Sequence, residues 1–345
     1  MTASAAVSVR GIATGAIPRT GGGAGHRVRR VLLSIARPIS IFVPVFFLGT
    51  FFTFLLGALS GRSPAALQLG DAATPEAVAA LNQQFGLDRP FFVQYADWLG
   101  QLFRGSFGNS WANGVPVATL LGDRAVVSLS VAGLALVIGV IFGFLFGVLA
   151  AQFHTRWIDR AITTGTTVFS VLPPFVVGIA LIAVFAVGLR WLPAVGFVPI
   201  QLGFWPWFSH LILPAVALSF DTVSDVARQL RTGLVSAYRE NYVTGAQVRG
   251  LGPQRIFFGH VLRNGVGPAL SVLGLKFPAL LGGAVLIESI FGLSGYGTFA
   301  AQSAVTGDVP SVQAVLVISI VLVVVFNLIV NVAHNRLIPS ASRGV

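Results

Sequence analysis

Six apolar blocks, each long enough to cross a bilayer, constrain this chain more than anything else in it. They run from about Val31 to Leu59, Val126 to Ala151, Ala161 to Leu189, Phe208 to Val226, Val266 to Ile290 and Ser311 to Ala333. A hydrocarbon core of about 30 Å needs about 20 helical residues at about 1.5 Å rise each, and every block supplies roughly that. Only 10% of the residues are charged, where a soluble domain carries roughly 25%. That leaves too little polar surface to cover a water-soluble fold. In lipid, backbone polar groups must be satisfied inside the segment. The expected fold class is therefore an all-α membrane protein with six transmembrane helices.

The net charge is +11, from 22 basic and 11 acidic residues. A nucleic-acid surface would gather the basic residues on one soluble face; here they flank apolar spans, as in the cytoplasmic loops of membrane proteins. No nucleic-acid partner is expected. His26, Arg27, Arg29 and Arg30 precede span one. His154, Arg156 and Arg160 lie between spans two and three. Arg228, Arg231, Arg239, Arg249, Arg255 and Arg263 lie between spans four and five, and Arg336 and Arg343 follow span six. With six spans all of these fall on one side, so both termini are expected in the cytoplasm. On the opposite side Arg62, Arg89, Arg104 and Arg124 are balanced by Asp71, Glu76, Asp88, Asp97 and Asp123.

Residues 1–30, rich in Gly, Ala, Ser and Arg, cannot bury a core and are expected to form a disordered tail. A cleaved signal peptide fits poorly, since the first apolar run is too long and starts too late. Residues 31–345 form the membrane domain. Within it, 60–123 is an outer segment. There Thr74, Pro75 and Glu76 carry helix-start chemistry. Phe91, Phe92, Tyr95, Trp98, Leu99, Leu102 and Phe103 recur at helical spacing opposite Gln94, Asp97 and Gln101. Two readings fit that helix: a cap lying on the membrane or bundle, or part of a docking surface for an outside protein.

Chemistry for catalysis is not evident. No phosphate-binding loop, nucleophile elbow or zinc-protease motif occurs. There are no cysteines, and the five histidines have no metal-ligand spacing. No cofactor, metal or catalytic residue is expected. Ionisable groups do occur at membrane depth: Asp221 and Asp225 at i, i+4 in span four, and Lys276 and Glu288 in span five. Such charges face a bundle interior or a wet cavity. Either Lys276 neutralises one of the aspartates structurally, or the group lines a substrate path or proton relay.

Between spans four and five the sequence runs from Tyr238 through Asn241, Tyr242, Val243, Ala246, Gly250 and Leu251, then His260, Arg263, Asn264 and Pro268. This loop, 227–265, resembles the cytoplasmic coupling stretch of binding-protein-dependent ABC importer permeases. It is most similar to the first-subunit type of the dipeptide, oligopeptide and nickel permease family. Phe85 to Pro90, Pro173-Pro174-Phe175, Trp191-Leu192-Pro193, Gly295-Tyr296-Gly297 and Asp308-Val309-Pro310 fit the same pattern. It departs at Asn331, His334, Ser294, Gly245 and Ile338-Pro339-Ser340, and in the charged Asp221 and Asp225.

The resemblance implies a type I importer bundle with span one outside a core of about five spans. It implies a second permease subunit, two cytoplasmic ATP-binding subunits or one fused ATPase, and an extracytoplasmic substrate-binding protein. Tyr242, Val243, Ala246, Gly250 and Leu251 would meet the ATPase, with Tyr242 and Ala246 sharing one face and Gly250 ending the helix. Short peptides are the family's usual solute, and the membrane would be the bacterial cytoplasmic one. The rival reading is a proton-coupled secondary carrier using Asp221, Asp225 and Lys276, which would show inverted repeats and broken helices.

Overall fold

The computed structural model describes residues 24–61 and 63–337, with side chains from Phe42 onward except Asn335 and Leu337. It divides at Val43, and the packing below belongs to the unit from Pro44 onward. Among the described residues fourteen α-helices follow in chain order. They are α1 Ala24–Leu59, α2 Pro64–Leu69, α3 Pro75–Phe85, α4 Phe91–Phe103, α5 Val117–Gln152, α6 Trp157–Val171 and α7 Pro174–Leu181. Next come α8 Phe204–Tyr238, α9 Asn241–Val248, α10 Pro253–Ile256, α11 Leu262–Gly265, α12 Gly267–Ile290, α13 Tyr296–Thr306 and α14 Val309–Leu337. Among the described residues the only β pairing is an isolated bridge between Asn109 and Pro116.

Among the described residues five helices are long and apolar enough to cross a membrane, and six spans result if the bent pair α6–α7 counts as one. The two halves of that pair meet at 99°. Pro173 pushes Leu172 into an extended conformation (φ −73°, ψ 124°), so α6 stops and α7 restarts with Pro174 in its first turn. Beyond Leu181 the chain widens into a π-helical stretch to Gly188.

Two boundaries differ from the sequence reading. Ala24–Arg30 is helical, so α1 reaches into the expected tail; residues 1–23 lie outside the described ones. Helix α8 also runs on to Tyr238, so 227–238 of the expected loop is helix. Its inner half stays helical because Leu230, Leu234 and Ala237 recur on one buried face.

Helices α5 and α8 form the tightest pair. Gly139, Gly143 and Gly147 of α5 face Thr222, Val226 and Leu230 of α8; a Cβ on each glycine would lie 2.5, 2.7 and 2.9 Å from those side chains. Small residues at four-residue spacing let membrane helices approach this closely. Around them Val131, Ala135, Leu211, Ala215, Leu218, Leu280 and Ile287 form the core.

The outer segment folds back onto the bundle. The Thr74 hydroxyl accepts the Ala77 N–H at 3.2 Å and starts α3. On α4, Phe91, Tyr95 and Trp98 pack against Phe54 of α1. The Tyr95 hydroxyl meets Thr50 Oγ1 at 2.9 Å, and Gln313 of α14 donates to the Thr50 carbonyl at 2.7 Å. Helix α4 thus packs along α1, with Phe92 and Phe103 left exposed.

Candidate functional site

Helix α9 hangs beneath the inner end of the bundle and is fixed at both ends. Its N-terminal turn closes through the Val243 N–H to the Glu240 carbonyl (3.0 Å). At its C-terminus Gly250 takes φ +75°, where a side chain would be strained. The Gly250 N–H then reaches the Gln247 carbonyl at 2.9 Å, and the Leu251 N–H the Ala246 carbonyl at 3.2 Å. These are the two bonds of a Schellman stop.

The faces of α9 differ from the expectation. Val243 and Ala246 are buried against Leu230, Leu234, Ile256, Phe257 and Val261. They attach α9 to α8 and α10, so Tyr242 and Ala246 do not form one free face. Tyr242 is half-exposed, with its ring centroid 6.5 Å from that of His260. Burial first, and Glu240 second, raise the phenol above its ordinary range, so it stays neutral. The free side carries Gly245, Gln247 and above all Val248, which is 83% exposed. Sequence reasoning passed over Val248, although a lone aliphatic residue beside Arg249 is a visible signal. Within the motif after α9, Asn264 Nδ2 donates to the His260 carbonyl at 2.7 Å, closing that turn.

Four charged residues meet at mid-height of α8 and α12. Lys276 Nζ donates to Asp221 Oδ2 at 2.7 Å and also pairs with Asp225, which in turn pairs with Arg228. The lysine contacts both aspartates, where the sequence suggested one. Lys276 is buried, whereas the Asp221 side chain is 48% exposed.

Glu288 stands apart from that group and has no exposed surface. Ser128 Oγ of α5 donates to it, as does the Thr298 N–H at 2.9 Å. Ser128 Oγ also accepts the Tyr296 N–H at 2.6 Å. The carboxylate caps α13 and ties it to α5 and α12. Glu288 is enclosed by neutral donors and meets no cation among the described residues.

Two further acids are buried, and the sequence reading gave neither a bonding role. Asp159 at the start of α6 accepts Arg231 Nε at 2.5 Å and Nη2 at 2.7 Å, with the Thr155 N–H at 3.0 Å and His154 Nδ1 at 3.3 Å. This two-pronged pair locks the α5–α6 turn to α8. Asp308 accepts Ser110 Oγ at 2.5 Å, Ser311 Oγ at 2.6 Å and the Trp111 N–H at 3.0 Å. It ties the outer segment to the start of α14.

The sequence matches the family described as "Binding-protein-dependent transport system inner membrane component" over residues 143–343. The N-terminal region described for such membrane components matches residues 30–132. A Sinorhizobium fredii protein named "Probable peptide ABC transporter permease protein y4tP" is 38% identical over 84% of this chain and 92% of its own length. The Escherichia coli K12 "Glutathione transport system permease protein GsiC" is 31% identical over 86% of this chain and 95% of its own. A solved structure of the MetNI methionine ABC transporter, inward facing, superposes with a TM-score of 0.52 at 16% identity, covering 64% of this chain and 98% of that one. At that identity the likeness carries the fold. The chain belongs to the inner membrane component family of binding-protein-dependent transport systems, as a multi-pass permease subunit of an ABC importer.

Proposed function

We propose that this permease forms half of a path for short peptides across the bacterial cytoplasmic membrane. A second permease subunit completes the path. Two cytoplasmic ATP-binding subunits, or one fused ATPase, seat on α9, and an extracytoplasmic binding protein delivers the solute. The observation that carries this reading is α9 itself: a short helix locked by a Schellman stop and anchored by Val243 and Ala246, with Val248 left exposed. A helix rooted in the core of α8 moves with α8, so force applied by a closing ATPase reaches the bundle as rigid-body motion. Binding energy can then shift the balance between outward and inward states. The peptide class is supported by the names of two relatives, one a peptide permease and one a permease for glutathione, itself a tripeptide.

The chain's own residues do no covalent chemistry in this scheme. Family membership displaces the proton-coupled carrier; the Lys276–Asp221–Asp225 group then stands as a tie between α8 and α12. The test is purification of the tagged chain in mild detergent, with its co-purifying subunits identified and assayed. Recovery of an ATPase whose hydrolysis rises with peptide-loaded binding protein is the expected result. Recovery of the chain with no ATPase, across several detergents, would overturn the proposal.

A further inference from the structure

On the outer side, a cavity of about 620 Å³ opens between the end of the outer segment, the start of α5 and the loop from α12 through α13. Its wall includes Asn113, Arg124, Ser294, Thr298, Gln302 and Thr306. Arg124, eighth in α5, lies with its guanidinium carbon 4.0 Å above the Phe299 ring. Its Nη1 is buried and has no hydrogen-bond partner. None of the ion pairs among the described residues includes it. The two buried acids in the same wall are already engaged, Glu288 by Ser128 and Thr298, Asp308 by Ser110, Ser311 and the Trp111 N–H.

A half-buried guanidinium resting on a ring and lacking an internal anion is an incomplete site. Its planar fork of donors matches a carboxylate. The cavity falls within the roughly 300–1,000 Å³ of small-ligand pockets, and its remaining wall offers the hydroxyls and amides that suit a peptide backbone. We infer that Arg124 binds the terminal carboxylate of the transported solute in this outer cavity, so that solutes with a free carboxylate are favoured over their amides. This rests on the peptide-path reading above. An acidic side chain of a docking protein has the same chemistry, but the guanidinium is recessed over Phe299 in a concavity, whereas steering charges belong on an exposed rim.

The test is arginine labelling of the full-length chain in nanodiscs with phenylglyoxal, read residue by residue by mass spectrometry. Tri-alanine should slow modification of Arg124 in a saturable way, by about fivefold at about four times the half-protecting concentration. It should leave exposed Arg104 unchanged, and tri-alanine amide should protect neither. No slowing at Arg124, or equal slowing by the amide, would overturn the inference. So would protection that appears only with peptide-free binding protein, which assigns the carboxylate to the docked partner. Peptide uptake is measured separately: uptake without Arg124 protection removes only this site, and protection without uptake removes only the transport reading.

Discussion

At the inner end of the bundle Asp159 lies against the Arg231 guanidinium, and at mid-height Asp225 lies between Lys276 and Arg228. At the outer end Glu288 and Asp308 have almost no exposed surface, yet they meet only hydroxyls and backbone N–H groups. The difference follows from where arginine is available. Cations crowd the cytoplasmic loops of membrane proteins, so an inner carboxylate finds one, and the pair locks two elements together. Outside, cations are scarcer and the acids serve as caps on α13 and α14. The inner ties therefore depend on charge matching and the outer ties on donor geometry.

The largest effect should come from the inner end. Arg231→Met leaves Asp159 buried without its cation and should destabilise the chain by about 3–5 kcal/mol. Thermal unfolding in detergent reads this, and adding Asp159→Asn should recover most of it. If the double variant is as unstable as the single one, the pair is not held by charge. At the outer end Glu288→Ala strands the Ser128 and Thr298 donors and should cost about 1–3 kcal/mol. Glu288→Gln keeps an acceptor oxygen in place and should cost less; equal losses would make charge, not cap geometry, the cause.

Lys276→Met should cost less than either, about 1 kcal/mol, because Asp221 is half-exposed and Arg228 still serves Asp225. Pairing it with Asp221→Asn should restore the wild-type midpoint. Smallest for stability is Val248→Asp: an exposed site should stay within about 0.5 kcal/mol, while peptide-stimulated ATP hydrolysis is lost. Retained stimulation in that variant would detach Val248 from the ATPase.

The spans were legible because long apolar runs have few alternatives. The break at Pro173 was signalled by the proline pair, but its angle depends on what α7 packs against. Residues 227–238 of α8 were read as loop because Arg228 and Arg231 mask a buried stripe at Leu230, Leu234 and Ala237. The coupling stretch was recognisable from Tyr242 to Pro268. Which side of α9 faces inward was not, since that is set by α8 and α10, which are distant in the reading frame of a single helix. Asp159 was lost among basic loop residues, and Glu288 was found without its partners because Ser128 lies 160 residues away. The glycines at 139, 143 and 147 carry their packing signal openly in their spacing.

The most direct measurement uses the absence of cysteine from the chain. Val248→Cys and Phe103→Cys each create one unique thiol, at the inner and outer ends, on side chains that are 83% and 74% exposed. A short bifunctional thiol reagent applied to the assembled transporter should join the thiol at position 248, and not that at 103, to an ATP-binding subunit. Cross-linking to the ATPase from position 103 alone, or from neither position in a complex that hydrolyses ATP, would contradict α9 as the coupling element.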